Sequence, residues 1–118
     1  MTHKDRVIWT FPLNMKEKRQ FIEMPRDTQI LSVGVQFEKI CLWGCVPVDF
    51  NGKQTMVKRE FVVIETGEAF NLNGEGVSGI PITLLGRCSL HGGDIICHVF
   101  EINHSFPQFR RGVMGSPT

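Results

Sequence analysis

The chain has 118 residues, which is enough for one compact domain with its own core and too few for two ordinary ones. Its 13 basic and 12 acidic residues give a formal net charge of +1, so bulk electrostatics makes no strong case for DNA, RNA or an anionic membrane. No apolar run approaches the roughly 18 to 20 residues that span a bilayer, and residues 1–6 lead directly into a predicted strand instead of the apolar stretch of a signal peptide. We therefore expect a cytoplasmic protein whose four cysteines are reduced.

Apolar and polar residues alternate in short runs between turn signals, and no segment of a dozen residues has clean helical periodicity. This pattern predicts an all-β, single-domain antiparallel β-sandwich or partly open barrel over residues 1–102. Residues 103–118 are expected to form a C-terminal tail that is flexible or docks on a partner subunit. The predicted strands are 7–11, 19–24, 29–37, 40–48, 55–66, 82–90 and 95–102.

The Asn51-Gly52 turn predicts a hairpin between the fourth and fifth strands, since this dipeptide favours the turn that matches strand twist. A second tight turn near Glu38-Lys39 would add the third strand. The resulting meander has one nearly continuous apolar face, and in this register Arg59 lies opposite Gly44 on that face.

An arginine within an apolar face is costly unless its charge is paired or reaches water. Two interpretations of Arg59 remain open. Either the register slips or Arg59 lies at the open end of the sandwich and extends outward. Alternatively, Gly44 leaves a hollow in which the guanidinium meets an anionic ligand or a carboxylate.

The other face of the meander carries Trp43, which the same register places across from Gly34. A large ring can cover the bare backbone of a glycine, and such a tryptophan either packs there or provides a stacking platform or subunit contact. Both roles remain open for Trp43.

The Gly92-Gly93 turn predicts a second hairpin, in which Cys88 pairs with Cys97 and Arg87 with His98. The cysteines are interpreted as small core residues, with a disulfide as the alternative. Arg87 and His98 lie on the opposite face, which is either a ligand-binding surface or a solvent-exposed polar one.

Residues 67–79 are rich in glycine and asparagine, which is typical of a long mobile loop that can carry function. No P-loop, dinucleotide fingerprint, nucleophile elbow or zinc spacing is present, so we expect no enzyme activity, no cofactor and no metal. A metal site would require the fold to gather His91, His98 and His104.

Several short motifs are spread along the predicted strands and turns. They are IWTFPL at 8–13, MP at 24–25, ILSV at 30–33, CLW at 41–43, TG at 66–67, HGG at 91–93 and HVFE at 98–101. Together these motifs resemble an uncharacterised family of small phage and prophage proteins over about residues 7 to 101. The chain differs from that family in a longer connection between 48 and 55 and in its tail.

The resemblance implies a phage accessory protein acting in the host cytoplasm, in counter-defence, that sequesters a nucleotide immune signal or inhibits a host defence protein. Such a protein is expected to be a homo-oligomer, because joined subunits can enclose a pocket. The alternatives are a structural or interaction protein, such as a minor virion component, and a metal-dependent hydrolase using His91 and His98. The candidate ligand-binding residues are Arg59, Arg87, His98, Trp43, Thr66 and Gly67.

Overall fold

The computed structural model describes residues 5–48, 54–70 and 82–104, and within them the chain forms seven β-strands. All strand pairs are antiparallel, which confirms the predicted all-β fold. In this part of the chain, no helix has the length and apolar character that a membrane crossing requires. The strands are β1 (Arg6–Pro12), β2 (Arg19–Pro25), β3 (Gln29–Gln36), β4 (Lys39–Pro47), β5 (Met56–Glu65), β6 (Ile82–Leu90) and β7 (Ile95–Ile102).

The strands form two packed sheets and not a closed barrel. Sheet A has the order β1-β4-β3, and sheet B has the order β2-β5-β7-β6. Alternate side chains of each sheet point into a shared core, as the alternating sequence pattern requires. The fully buried core side chains include Ile40, Leu42 and Val46 from sheet A, and Met24, Phe61 and Val99 from sheet B.

The predicted hairpin between β4 and β5 is wrong. β4 pairs with β1 on one edge and with β3 on the other, so no edge remains for β5, which pairs with β2 and β7. The turn at Asn51-Gly52 itself lies outside the described residues. The predicted core faces of β4 and β5 are nevertheless correct, because alternation belongs to each strand separately and survives a change of partner. On the predicted third strand, 29–37, the prediction fails for Leu31 and Phe37, which are exposed.

The predicted hairpin between β3 and β4 is confirmed, but its turn lies one residue earlier than expected. Gln36 pairs with Lys39, so the turn residues are Phe37 and Glu38. Their φ angles of 53° and 62° are left-handed, as a two-residue hairpin of this type requires. A bulge between Ile30 and Ser32 then shifts the register toward the start of β3.

The hairpin between β6 and β7 has the predicted register. Cys88 pairs with Cys97 and Arg87 with His98, across a short 3-10 turn at His91–Gly93. The outer face of sheet B is less polar than expected, because it also carries a second buried cluster. This cluster consists of Val62, Ile64 and Ile102, with Phe100 packed against it.

Two further predicted features lie wholly or mostly outside the described residues. The loop at 67–79 is described only as far as residue 70, and the tail at 103–118 only as far as residue 104. The boundary at residue 102 stays a prediction.

Candidate functional site

Arg59 meets a carboxylate. It lies on the core-facing side of β5, and Glu101 lies on the same side of the neighbouring β7. The Arg59 Nε donates to Glu101 Oε2 at 2.6 Å, and Nη2 donates to Oε1 at 2.9 Å. The Nη1 donates to the carbonyl oxygen of Thr28 at 2.6 Å. This two-point contact holds the guanidinium in one orientation and compensates its burial.

Gly44 does not provide the hollow that the sequence suggested. It lies in sheet A between Trp9 of β1 and Ile30 of β3. A Cβ at this position would lie 2.7 Å from Thr28 Cγ2 and 3.0 Å from a ring carbon of Phe11. The missing side chain therefore makes room for Thr28 and Phe11, and the predicted pairing of Gly44 with Arg59 is wrong.

A surface hollow of about 540 Å³ does open beside Arg59, at the start of β5. Its lining contains Arg26, Lys58 and Arg59, whereas Glu101 is its one acidic residue among those described. Arg26 and Lys58 are exposed and form no ion pair within the described part of the chain. Among the described residues, acceptors are found for three of the five N–H groups of Arg59, so two donors have no acceptor there. The hollow is therefore cationic, in contrast to the nearly neutral chain.

An aromatic surface adjoins this hollow. His104 contributes to the lining, and its ring stacks on the exposed ring of Phe21 with centroids 6.2 Å apart and planes inclined by 24°. The His104 Nε2 lies within hydrogen-bond distance of the buried Glu60 carboxylate, which also accepts a bond from Arg19 Nε at 2.9 Å. These contacts hold the imidazole in place beside the cations.

Three other candidates lie together at a different place on sheet B. Thr66, Gly67 and His98 line a shallow hollow of about 250 Å³, where Thr66 Oγ1 and His98 Nε2 are 2.7 Å apart. Arg87 is the exposed cross-strand neighbour of His98. Two glutamates, at positions 65 and 68, also line this hollow. Their negative charge makes it a poorer site for an anion than the hollow beside Arg59.

Trp43 lies on the outer face of sheet A, away from both hollows. It pairs with Ser32, and Gly34 pairs with Cys41, so the predicted register is wrong at this pair. The ring still covers Gly34, because a Cβ there would lie 3.0 Å from Trp43 Cζ3. The packing interpretation thus has direct geometric support, and a stacking role for Trp43 stays a prediction.

Sequence reasoning missed several residues of the cationic hollow, although one signal was present. Glu101 occupies the next core-facing position of β7 after Cys97 and Val99, where the alternation predicts an apolar residue. Arg59 occupies the corresponding kind of position on β5, two residues before Phe61. Two opposite charges that each interrupt a core face are natural partners. Arg26 and Lys58 carried no such signal, because exposed cations are common on any surface.

Among the described residues, metal-ligating side chains are not gathered at either hollow. Within residues 5–48, 54–70 and 82–104, no group of three or more His, Cys, Asp or Glu side chains could hold a metal ion. His91 lies in the turn before β7, and His104 contacts Glu60 on the outer face of sheet B.

All four cysteines are free thiols, and three of them are buried. Burial raises the pKa of the Cys41, Cys88 and Cys97 thiols above the ordinary value of 9.0, and the neighbouring Cys97 raises that of Cys88 further.

Because the thiolate is the reactive form, we expect Cys45, which is partly exposed, to react with a disulfide reagent at least about tenfold faster than the others. Counting modified sites over time at pH 8 by mass spectrometry checks this.

The same shifts predict how stability depends on pH. In the unfolded chain these thiols ionise near their ordinary pKa, whereas in the folded chain they keep their protons to higher pH. The free energy of unfolding should therefore fall as the pH rises above about 9. Urea unfolding of the wild type and of Cys88→Ala at pH 7.5 and 9.5 measures this effect. A wild-type midpoint that does not decrease at the higher pH would contradict the prediction, and so would an unchanged pH dependence in Cys88→Ala.

Comparison with known protein families gives a match that covers most of the chain. Residues 4–109 match a protein family described as a domain of unknown function, DUF7352. This match extends past both ends of the region covered by the short motifs. No curated protein and no solved structure matches the chain.

Proposed function

The chain belongs to the DUF7352 family, whose function is unknown, and we propose that it is a non-enzymatic protein that binds a small anionic ligand of the nucleotide class. One observation carries the proposal. Arg26, Lys58 and Arg59 all line a single hollow at the start of β5, in which Glu101 is the one carboxylate among the described lining residues. Three cations around one acid attract an anion from solution even when the net charge of the chain is only +1.

The arrangement of the hollow favours a nucleotide over a simple anion. The two N–H groups of Arg59 that no described residue accepts, together with the Arg26 and Lys58 side chains, suit the oxygens of a phosphate. The stacked rings of Phe21 and His104, which lie on the outer face of sheet B at the border of this hollow, offer a base an aromatic surface. No nucleophile with an adjacent base lines this hollow among the described residues, which favours binding over catalysis.

The biological role follows from the resemblance to phage proteins. We infer that the protein sequesters a nucleotide immune signal in the host cytoplasm and so acts in counter-defence, as a homo-oligomer. Capture of a signal requires only affinity and a sufficient number of sites, and these are properties that a small β-sandwich can supply.

The second candidate function is that of a structural or interaction protein. Such a protein could inhibit a host defence protein by binding to it. It is favoured by the exposed apolar side chains of β1, at an edge of sheet A. A metal-dependent hydrolase has less support, because His98 is engaged by Thr66 and His91 lies outside that hollow.

Native mass spectrometry tests the proposal directly. The full chain, purified from cells, is measured alone and with a mixture of cyclic and ADP-ribose-type nucleotides. We expect a discrete mass to be added per subunit. Replacing both Arg26 and Lys58 with glutamine should weaken binding by about 100-fold, because each lost charge contact to a phosphate is worth roughly tenfold.

Arg87→Gln is the matched control, since it removes one exposed cation from the other hollow. It should leave the affinity unchanged. The absence of any nucleotide adduct with the wild-type protein would overturn the proposal. So would a loss of binding in Arg87→Gln with full binding in the variant that lacks Arg26 and Lys58, because that result would place the ligand beside His98.

A further inference from the structure

β1 is an edge strand whose outer side is free. It pairs with β4 on one side, and within the described residues no strand lies along its other side. Its side chains are unusually apolar for such a position. Ile8 is 60% exposed, Val7 is 40% exposed and Trp9 is 39% exposed. A long exposed strand of this kind pairs readily with another strand unless charges or a bulge prevent it.

The hydrogen bonds at the two ends of β1 show which backbone groups are free. The Val48 N–H donates to the Asp5 carbonyl at 3.0 Å, and the Leu13 N–H donates to the Ile40 carbonyl at 2.9 Å. In an antiparallel pair, alternate residues bond to the neighbour. The odd-numbered residues of β1 therefore bond to β4, and the N–H groups of Arg6, Ile8 and Thr10 point to the open side.

Pro12 ends this series. It is the next even-numbered residue and has no N–H, so it lacks a donor where further pairing would need one. Three consecutive free positions, centred on Ile8, remain. These positions are self-complementary. If a second copy of β1 runs antiparallel to the first and the two strands are centred on Ile8, each Arg6 lies opposite Thr10 of the other copy, and the two Ile8 residues lie opposite each other.

From this geometry we infer that β1 is a homodimer interface, where two chains pair their β1 strands antiparallel about Ile8 and join the two A sheets into one sheet of six strands. In this arrangement all six open N–H groups gain a carbonyl acceptor. Val7 of one chain then lies opposite Trp9 of the other in a close, non-hydrogen-bonded pair. The apolar side chains that are exposed in the single chain cover one another.

The size of the contact sets its strength. A strand of seven residues is about 23 Å long, and one edge pairing with three apolar side chains buries less than the roughly 800 Å² per partner of a standard interface. We therefore expect a dissociation constant in the range of about 10 to 100 µM. The dimer does not depend on the proposed ligand, since the cationic hollow is built from other strands.

Sedimentation velocity of the full chain between about 2 and 300 µM tests the interface. The wild type should change from monomer to dimer over this range. Thr10→Pro removes a free donor without breaking a bond to β4, and Ile8→Lys places a charge at the centre of the pair. Both variants should remain monomeric at 300 µM, with far-UV circular dichroism like that of the wild type.

Phe37→Asn is the matched control, because it removes a highly exposed apolar side chain from the turn after β3 and not from β1. It should dimerise like the wild type. A wild type that is monomeric at 300 µM would overturn the inference. It would also fail if the dimer persisted in both folded β1 variants, or if Phe37→Asn abolished it equally.

Amide hydrogen exchange gives a second readout that does not depend on any variant. At 300 µM the amides of Ile8 and Thr10 should exchange severalfold more slowly than at 2 µM, because they are bonded only in the dimer. The amides of Val7 and Trp9, which bond to β4, should show a much smaller change. Equal exchange rates of Ile8 and Thr10 at both concentrations would contradict the pairing.

Discussion

Replacing Glu101 with glutamine is expected to lower the free energy of unfolding by about 2 to 4 kcal/mol. The side chains of Arg59 and Glu101 are only 22% and 11% exposed, so the change leaves a largely buried guanidinium without its counter-charge. Glutamine keeps the size of the side chain but offers a single oxygen acceptor to the two donors of Arg59. The midpoint of urea unfolding, followed by tryptophan fluorescence, measures the loss.

Glu68→Gln is the matched control. Glu68 also pairs with a cation, Lys18, but these side chains are 31% and 43% exposed. An exposed ion pair contributes less than about 1 kcal/mol, so this variant should unfold close to the wild type. Equal midpoints for the two variants would show that the pair between Arg59 and Glu101 is not a buried one. Replacing Arg59 with methionine and Glu101 with leucine together should recover part of the loss, because no unpaired charge remains.

Gly44→Ala is expected to cost about 1 to 3 kcal/mol, although the change adds a single methyl group. The new Cβ would lie 2.7 Å from Thr28 Cγ2, and Thr28 cannot easily move. Its hydroxyl donates to the Pro25 carbonyl at 2.7 Å, and its own carbonyl accepts from Arg59. Thermal and urea unfolding of the variant check the size of the effect.

The clash can be tested by removing the Thr28 methyl group that the new Cβ would contact. Thr28→Ser deletes the methyl group and keeps the hydroxyl, so adding it to Gly44→Ala should restore much of the lost stability. Full restoration is not expected, since the contact with Phe11 at 3.0 Å remains. Gly86→Ala controls for the general effect of alanine in a strand, because its Cβ would meet Val33 at an ordinary 3.4 Å. The explanation fails if Gly86→Ala is equally harmful or if Thr28→Ser gives no rescue.

The positions of the strands were readable from the order of the amino acids. Alternation is a local property, and it placed all seven strands within a few residues of their observed bounds. It also identified the buried sides of β4 and β5, because Leu42 and Phe61 face the core whichever strand lies beside them. The hairpin between β6 and β7 was predictable because a short connection leaves the register little freedom.

Strand partners across longer connections were decided only by the tertiary structure. The dipeptide Asn51-Gly52 is compatible with a hairpin, but both edges of β4 are taken by β1 and β3. Competition for an edge depends on segments distant in sequence, and no local signal reports it. The same competition leaves the outer edge of β1 free among the described strands.

In the candidate site, too, some features were predictable from the sequence and others depended on the tertiary structure. Arg59 was recognisable as unusual because it interrupts an apolar alternation, but its partner Glu101 and its contact with Thr28 come from other parts of the chain. Gly44 was expected to leave space and instead accommodates Phe11 and Thr28. The sequence alone therefore determined which side chains of β4, β5, β6 and β7 face the core, whereas the bulge in β3 exposes Leu31, which the alternation had placed in the core. Only the tertiary structure decided which charges meet, because Arg59 and Glu101 come together through the pairing of β5 with β7, two strands that are distant in sequence.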